Sequence, residues 1–335
     1  MCLHYDRNDP MQPTLSTIPA QVPGLEELIQ KTKRFVAAAK SPATLKAYRN
    51  DWRDFEAWCL LHNLPSLPST PETVALYIAD QASTRAVGTI THRLTSITKA
   101  HQAASYKLSP ASSRNFIVGE TLKGIRRVLG THQQGKDPLL ADGIRTIVGA
   151  APDSVLGLRD RALVLTGFAG AFRRSELARI SVSDLFFDQK NGVVIDLRVS
   201  KTDPEGAGRK VGIPFGKDSC TCPVLALQAW LTAAKIAEGP VFRRVDRNGC
   251  PSRHRGLHKD SIGKLLKRAA ARAGMNVDPL GGHSLRAGCV TQAAMNGVRE
   301  FVIMKQTGHT SEKTLRRYIR NAELFRENAA AAIGI

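Results

Sequence analysis

One stretch of this chain departs from an otherwise helical pattern and so limits the folds that it can adopt. Residues 192–215 read GVVIDLRVSKTDPEGAGRKVGIPF, with β-rich runs on both sides of TDPEGAG, whose Pro, Asp and Gly residues are typical of a turn. Elsewhere, apolar residues recur at helical spacing over most of the chain. The sequence therefore predicts a mainly α-helical protein with one small β-hairpin.

Five amphipathic segments between residues 24 and 130 predict an all-helical first domain. One of them starts at Ser41-Pro42, where Ser can cap the helix and Pro suits its first position. Residues 1–23 lack a hydrophobic signal core and predict a flexible tail, and the polar residues 131–138 predict a linker. Residues 139–335 then predict a second domain, helical apart from the hairpin.

The charge of the chain predicts a polyanionic partner. Lys and Arg number 48 against 29 Asp and Glu, which gives a net charge of +19 and a pI near 10.0. Such an excess favours contact with phosphates and release of their counterions. No apolar run reaches the ~20 residues of a membrane span. We therefore expect a soluble, cytoplasmic and nucleoid-associated protein that binds double-stranded DNA.

The distribution of charge suggests where DNA binds. No acid occurs between Asp80 and Glu120, and the helix predicted in that interval carries small polar groups that can approach a groove or phosphates. A basic helix without acids is also compatible with an ordinary solvated surface. The predicted DNA-binding residues are Arg85, His92, Arg93, Lys99, Arg114, Lys123, Arg126, Arg127, Lys264, Lys267 and Arg268.

The six cysteines do not predict a metal centre. Cys220 and Cys222, with Cys250, His254 and His258 further on, fit no common structural zinc spacing. Cys222-Pro223 instead has the pattern of a helix start. We expect no metal, no other cofactor and, in a cytosolic chain, no disulfide framework.

Polar residues of the second domain form a set that can attack a phosphodiester without a metal ion. A Tyr phenol can displace a sugar oxygen from phosphorus, arginine forks can neutralise the nonbridging oxygens, and a partly desolvated Lys can protonate the leaving oxygen. Each residue alone has an ordinary alternative: Tyr318, for example, can be a packed core residue. The candidate catalytic residues are Arg173, Glu176, Lys201, His283, Arg286, His309 and Tyr318.

The order of these motifs resembles that of the tyrosine recombinase (phage integrase) family, in particular its Cre-like two-domain members. The motifs are R-x-S-E-L, a hairpin Lys, H-x-L-R, G-H and a Tyr nine residues later. The likeness extends over almost the whole chain. It implies that residues 24–130 are a SAM-like core-binding domain and residues 139–335 an α+β catalytic domain, and that the two clamp DNA.

The resemblance also implies a reaction. Tyr318 would attack the scissile phosphate, leaving a 3′-phosphotyrosyl link and a 5′ hydroxyl, for integration, excision or resolution of DNA. Arg173 and Arg286 would hold the nonbridging oxygens, and Lys201 would protonate the leaving oxygen, with Lys210 as the other candidate for that role. Because the bond energy stays in the phosphotyrosine, neither ATP nor metal is required.

The remaining site residues receive supporting roles by the same resemblance. His283 would act as acid and base near the nucleophile, and His309 would hydrogen-bond the phosphate. Glu176 would orient the site. Arg174, next to Arg173, is expected to be structural, because the Arg of the family lies two residues before the Ser.

The end of the chain, residues 321–335, is compatible with a last helix. In Cre-like relatives that helix docks into a neighbouring protomer, which implies a homotetramer on synapsed inverted-repeat sites and a monomer in solution. The helix can alternatively cap its own domain.

Two other functions remain open from the sequence. Residues 299–319 are compatible with a helix-turn-helix of a DNA-binding protein that exchanges no strands. A type IB topoisomerase uses similar tyrosine chemistry to relax DNA. The motif set and the helical first domain favour the recombinase.

Overall fold

The computed structural model describes residues 25–106, 109–131, 135–198, 208–309, 311–312, 315–316, 318 and 333. Lys201, the hairpin turn, the predicted tail and residues 319–332 lie outside the described residues. The chain divides into two compact units, Met1–Gln134 and Gly135–Ile335, and this division falls within residues 131–138.

The described part of the first unit is helical. Its first helix contributes no buried residue, and the other four pack around a core that includes Trp52, Phe55 and Tyr77. Ser41 and Thr70 each accept a hydrogen bond from the backbone N–H three residues on, with Pro at the first helical position. The helices are α1 (Leu25–Ala38), α2 (Pro42–Leu61), α3 (Pro71–Gln81), α4 (Val87–Ala103) and α5 (Phe116–Leu129).

The second unit is built around one buried helix, α7, which has no polar face and packs against α9 and α11. Pro223 opens α9 directly after Cys222, as the sequence predicts. The helices are α6 (Ala141–Gly149), α7 (Val155–Ala169), α8 (Arg174–Leu177), α9 (Pro223–Ala233), α10 (Lys259–Arg272), α11 (Ser284–Met295) and α12 (Glu300–Thr307).

Two small antiparallel sheets complete the second unit. The first has strand order β1 (Leu185–Asp188), β2 (Gly192–Leu197), β3 (Arg209–Pro214), and the second pairs β4 (Arg243–Val245) with β5 (Pro251–Gly256). Strands β2 and β3 are the predicted hairpin strands, and the mainly α fold class is confirmed. The sequence analysis missed β1, β4 and β5, because β1 is mostly exposed and β4–β5 is rich in arginine.

The segment that carries Tyr318 packs beside α11 and α12. Leu315 is fully buried, and with the partly buried Tyr318 it contacts Val290, Ala294 and Ile303. No helix among the described residues is long and apolar enough to cross a membrane.

Candidate active site

The first part of the site is a local ion pair at the start of α8. Glu176 is 2% exposed, and its Oε2 accepts the backbone N–H of Arg173 at 2.9 Å. Its Oε1 accepts Arg173 Nη1 at 2.6 Å. A Glu that reaches back to the N-terminal residue of its helix is the second half of a capping box, so the R-x-S-E spacing itself fixes this pair.

Arg286 joins this pair from α11. Its side chain is 3% exposed, and Nη1 donates to the carbonyl of Ala171 at 2.7 Å. Nη2 donates to His309 Nε2 at 3.1 Å. Ala171 has a left-handed backbone (φ 48°), in the turn between α7 and Arg173. Arg286 therefore contacts the turn that leads directly into Arg173, so the same turn positions both arginines of the sequence motifs.

The contacts of His309 define its tautomer. Thr307 Oγ1 donates to the Ile303 carbonyl at 2.7 Å, so it accepts the hydrogen bond from His309 Nδ1 at 2.8 Å. Nδ1 therefore carries the proton, and Nε2 is the acceptor for Arg286. Burial, together with the charges of Arg286, Arg173 and Arg209, lowers the pKa of His309 to about 4. His309 is neutral at physiological pH.

The cluster holds more positive than negative charge. Arg209 Nη2 lies 3.3 Å from Glu176 Oε2, so a single carboxylate serves the guanidinium groups of Arg173 and Arg209. Burial and the charge of Arg173, opposed by Glu176, together lower the pKa of Arg286 to about 10. Among the described residues, no other acid forms an ion pair with these arginines. The cluster is therefore suited to an anion.

Tyr318 lies at the edge of this cluster. Its ring centroid is 6.1 Å from that of His309, and its partial burial against Leu315 and its neighbours restrains the side chain. Tyr318 thus packs against a small core and also lies beside the arginine cluster, and its role as the nucleophile stays a prediction.

Arg209 is the site residue that the sequence analysis missed. It begins β3, where Val211 and Ile213 are buried and Lys210 is exposed. Since alternate residues of a strand share a face, Arg209 lies on the buried face. This alternation was the available signal, and it also turns Lys210 away from the face that carries Arg209.

The other predicted catalytic residues have different surroundings. His283 is exposed and precedes the first residue of α11, whereas Arg286 on the same helix is buried. Arg174 forms an ion pair with Asp260 at 3.1 Å, away from Glu176. Lys201 lies outside the described residues. No group of three or more His, Cys, Asp or Glu side chains among the described residues could hold a metal ion.

One predicted DNA-binding residue, Arg93, needs correction. It is 6% exposed, and its guanidinium donates to both carboxylate oxygens of Asp54, at 2.6 and 2.9 Å. It also donates to Tyr77 at 2.9 Å and to Gln81. Helical periodicity turns this position of α4 inward, so Arg93 is a core residue and is not available to DNA.

The remaining predicted DNA-binding residues lie at or near the surface of their own unit. His92 is half-exposed and contacts Asp51 at 2.5 Å. Lys99 donates to Gln102 at 2.8 Å, and Lys123 pairs with Glu120 at 3.4 Å. The exposed residues in the first unit are Arg85, His92, Arg114, Lys123, Arg126 and Arg127, with Lys99 partly buried; on α10, Lys264 and Arg268 are exposed and Lys267 is partly buried.

The sequence analysis also missed a basic hairpin in the second unit. Strands β4 and β5 and the turn between them expose Arg244, Arg247, Arg253 and Arg255, and among the described residues no carboxylate forms an ion pair with them. The cysteine and histidine spacing within residues 250–258 was rejected as a zinc pattern, and the arginines of this stretch formed no part of the predicted DNA-binding surface.

The sequence of this chain is similar to those of known proteins. The model of the phage integrase family matches residues 138–324. The integrase/recombinase xerD homolog of Selenomonas ruminantium is 39% identical over 311 residues, which cover 92% of this chain and 91% of that protein.

Two solved structures share the fold. One is the XerH site-specific recombinase in a post-cleavage complex with palindromic difH DNA, with TM-score 0.64 and 15% identity over 96% of this chain and 92% of that one. The other is a λ integrase tetramer bound to a Holliday junction, with TM-score 0.56 and 16% identity over 91% of this chain and 79% of that one.

Proposed function

The chain belongs to the phage integrase family and is a tyrosine site-specific recombinase, and we propose that Tyr318 is the nucleophile that breaks and rejoins the DNA strand. The phenol oxygen attacks the scissile phosphorus while the bond from phosphorus to the 5′ oxygen breaks. The products are a 3′-phosphotyrosine and a 5′ hydroxyl. Attack by a 5′ hydroxyl of another strand reverses the step and releases Tyr318.

The observation that carries this proposal is the excess of positive charge in the buried arginine cluster. Arg173 and Arg286 are nearly inaccessible to water, and one carboxylate, Glu176, serves the cluster. Fixed donors in a dry site stabilise the charge that builds on the nonbridging oxygens in the transition state. Glu176 holds Arg173 in place, and neutral His309 holds Arg286 and lies beside Tyr318.

Two proton-transfer roles are assigned from the resemblance of the motifs. Lys201 donates a proton to the leaving 5′ oxygen, and His283 accepts the proton of the Tyr318 phenol. The exposure of His283 supports its role, because an exposed imidazole can exchange protons with solvent.

We assign DNA binding to the basic surface of each unit. In the first unit the proposed contacts are the predicted residues without Arg93, and in the second they are α10 and the β4–β5 hairpin. The net charge of +19 supports this assignment and a nucleoid-associated, cytoplasmic location. The substrate is a pair of inverted-repeat sites, as the palindromic substrate of the XerH complex suggests, on a mobile or resolvable DNA element.

Strand exchange between two sites needs four active subunits. We propose a homotetramer on synapsed DNA, assembled through residues 321–335, by analogy with the λ integrase tetramer on a Holliday junction. A chain ending at Arg320 should bind one site as well as the full chain but should not form the tetramer. Unchanged assembly, measured by light scattering on DNA, would refute this role of the segment.

The test of the nucleophile is a trapped covalent adduct. The protein is incubated with the DNA that flanks its gene and with nicked versions of it that lose the 5′ hydroxyl strand after cleavage, and SDS then stops the reaction. We expect DNA linked to the peptide that contains Tyr318, and no link in Tyr318→Phe. Tight binding with no adduct on nicked substrates would favour a DNA-binding protein without strand exchange.

A second assay separates the recombinase from a topoisomerase. Supercoiled plasmid without a specific site should be relaxed by a type IB topoisomerase and should be left supercoiled by this protein. Adduct formation with rapid relaxation of any plasmid would overturn the site-specific function while keeping Tyr318 as the nucleophile.

A further inference from the structure

Arg209 connects three elements of the active site although no motif of the sequence contains it. It pairs with Leu197 across the β2–β3 ladder, on the strand that follows the hairpin turn. Its side chain lies on the face of β3 that also buries Val211 and Ile213. A cation on this face needs partners from the protein, because water reaches it poorly.

The partners of Arg209 come from both sides of the cluster. Nη2 donates to Glu176 Oε2 at 3.3 Å, and Nη1 donates to the backbone carbonyl of Gln306. Gln306 is tied in turn to the carbonyl of Ala169, at 3.0 Å from its Nε2. Arg209 therefore links the Arg173–Glu176 pair to the end of α12, the helix that leads to His309.

Gly308 makes this arrangement possible. It ends α12 with a left-handed backbone (φ 66°), and a Cβ atom there would lie 2.8 Å from Arg209 Nε. A glycine is required both for the backbone conformation and for the close approach of the guanidinium. The turn that places His309 is thus packed directly against Arg209.

We propose that Arg209 is a positioning residue for strand cleavage: it holds Glu176 against Arg173 and fixes the Gln306–Gly308 turn, so that Arg173, Arg286 and His309 keep one geometry around the scissile phosphate. This inference rests on the proposed function. This role requires a guanidinium group, whose N–H groups can donate to two acceptors at the same time. A lysine at 209 keeps the charge but cannot reach Glu176 and the Gln306 carbonyl together.

The experiment compares Arg209→Met and Arg209→Lys with the wild type in single-turnover cleavage of nicked trapping substrates. Three versions of the scissile linkage are used: a normal phosphate, a neutral methylphosphonate, and a phosphate whose leaving 5′ oxygen is replaced by sulfur. A methylphosphonate has less negative charge for arginines to neutralise, and a thiolate leaving group needs no proton donor. Arg145→Gln, which removes an exposed cation from the same unit, is the control.

We expect both Arg209 variants to bind DNA within about twofold of the wild type and to cleave the normal phosphate roughly tenfold to a hundredfold more slowly. The deficit should shrink on the methylphosphonate and persist on the sulfur substrate. Arg145→Gln should cleave as the wild type does. Recovery of the cleavage rate on the sulfur substrate would mean that Arg209 acts with the leaving-group acid. An equal deficit on all three substrates would mean that Arg209 is only a structural residue. Either result overturns the proposal, as does normal cleavage by Arg209→Met.

A second readout does not depend on cleavage. Because Arg209 is one of the charges that lower the pKa of His309, Arg209→Met should raise that pKa toward 6.5, as measured by NMR. If the wild type forms no adduct, or Tyr318→Phe still forms one, the proposed function fails. An unchanged pKa of His309 would then show separately that the Arg209 guanidinium does not lie against the turn that carries His309.

Discussion

Each unit contains a buried cluster of polar side chains around arginine, and the two clusters differ in net charge. In the first unit, Arg93 meets the carboxylate of Asp54, the hydroxyl of Tyr77 and the side-chain oxygen of Gln81. One cation faces one anion, and neutral groups complete the contacts. In the second unit, Arg173 and Arg209 contact the single carboxylate of Glu176, and Arg286 lies close enough to feel its charge.

This difference separates a cluster whose charges are balanced from one that is suited to an anion. A neutral buried pair needs no further partner, and it stabilises the fold only in so far as its contacts offset desolvation. A cluster with uncompensated positive charge is costly in the empty protein and becomes favourable when an anion enters. Burial alone does not identify a site, since Arg93 at 6% exposure and Arg286 at 3% are nearly alike. What distinguishes these two clusters is their balance of charge.

The largest expected effect is the loss of cleavage in Arg286→Ala. Removing a preorganised donor from the scissile phosphate should slow single-turnover cleavage on the order of a hundredfold or more, with DNA affinity nearly unchanged. Arg93→Ala should cleave at the wild-type rate wherever it remains folded. Rates on trapping substrates and affinities by fluorescence anisotropy measure both, and normal cleavage by Arg286→Ala would refute the phosphate role of the cluster.

The next-largest expected effect is on stability, and here the change at Arg93 has a larger effect than the change at Arg286. Arg93→Met leaves Asp54 and Tyr77 without their cation and should lower the free energy of unfolding by about 3 kcal/mol, the low end for a broken buried pair. The low end applies because 35% of the Asp54 side chain is exposed. Arg286→Met should cost less or stabilise, since it reduces repulsion with Arg173. Urea denaturation measures both, and an equal loss in the two variants would abolish the distinction between the clusters.

A smaller effect tests the charge excess directly. Sulfate at ten times its dissociation constant should stabilise the second unit by about 1.4 kcal/mol through binding. Sulfate also stabilises proteins generally, so the matched control is Arg173→Gln in the same salt. Only the general increase in melting temperature should remain in that variant. Identical increases in both proteins would show that the cluster does not bind anions.

The sequence predicts the described helices and the central hairpin strands because their signals are local. Ser41 and Thr70 cap helices that open with Pro, and β2 and β3 are β-rich runs on either side of a stretch with Pro and Gly. The edge strand β1 and the basic β4–β5 pair lack such a pattern, because strands that are mostly exposed have no buried face that requires apolar residues. Tertiary pairing alone fixes them.

The site shows the same limit. Arg173 and Glu176 are three residues apart, so their contact follows from helix geometry. Arg209 reaches Glu176 across 33 positions of sequence, and only the fold brings the two together. Arg93 failed as a predicted DNA contact for a different reason: the prediction rested on charge, whereas helical periodicity places Arg93 on the buried face of α4 with Ile90 and Ile97.

The smallest effect concerns protonation, and it distinguishes burial from charge. Burial lowers the pKa of both His101 and His309, but only at His309 do arginine charges add to it. Arg173→Gln should therefore raise the His309 pKa from about 4 toward 6.5 and leave His101 unchanged. NMR titration of the histidine ring signals measures both values. A shift at neither residue would mean that the charge of Arg173 does not contribute to the lowered pKa of His309.

The sign for stability follows from the same values. Both histidines stay neutral in the folded protein at pH values where they are already protonated in the unfolded chain. They therefore stabilise the fold above pH 6.5, and this contribution is lost as the pH falls toward the folded pKa. In Arg173→Gln the His309 part of this loss should diminish, because its folded and unfolded pKa values converge. A pH-dependence of unfolding identical to that of the wild type would contradict the argument that arginine charge keeps His309 neutral.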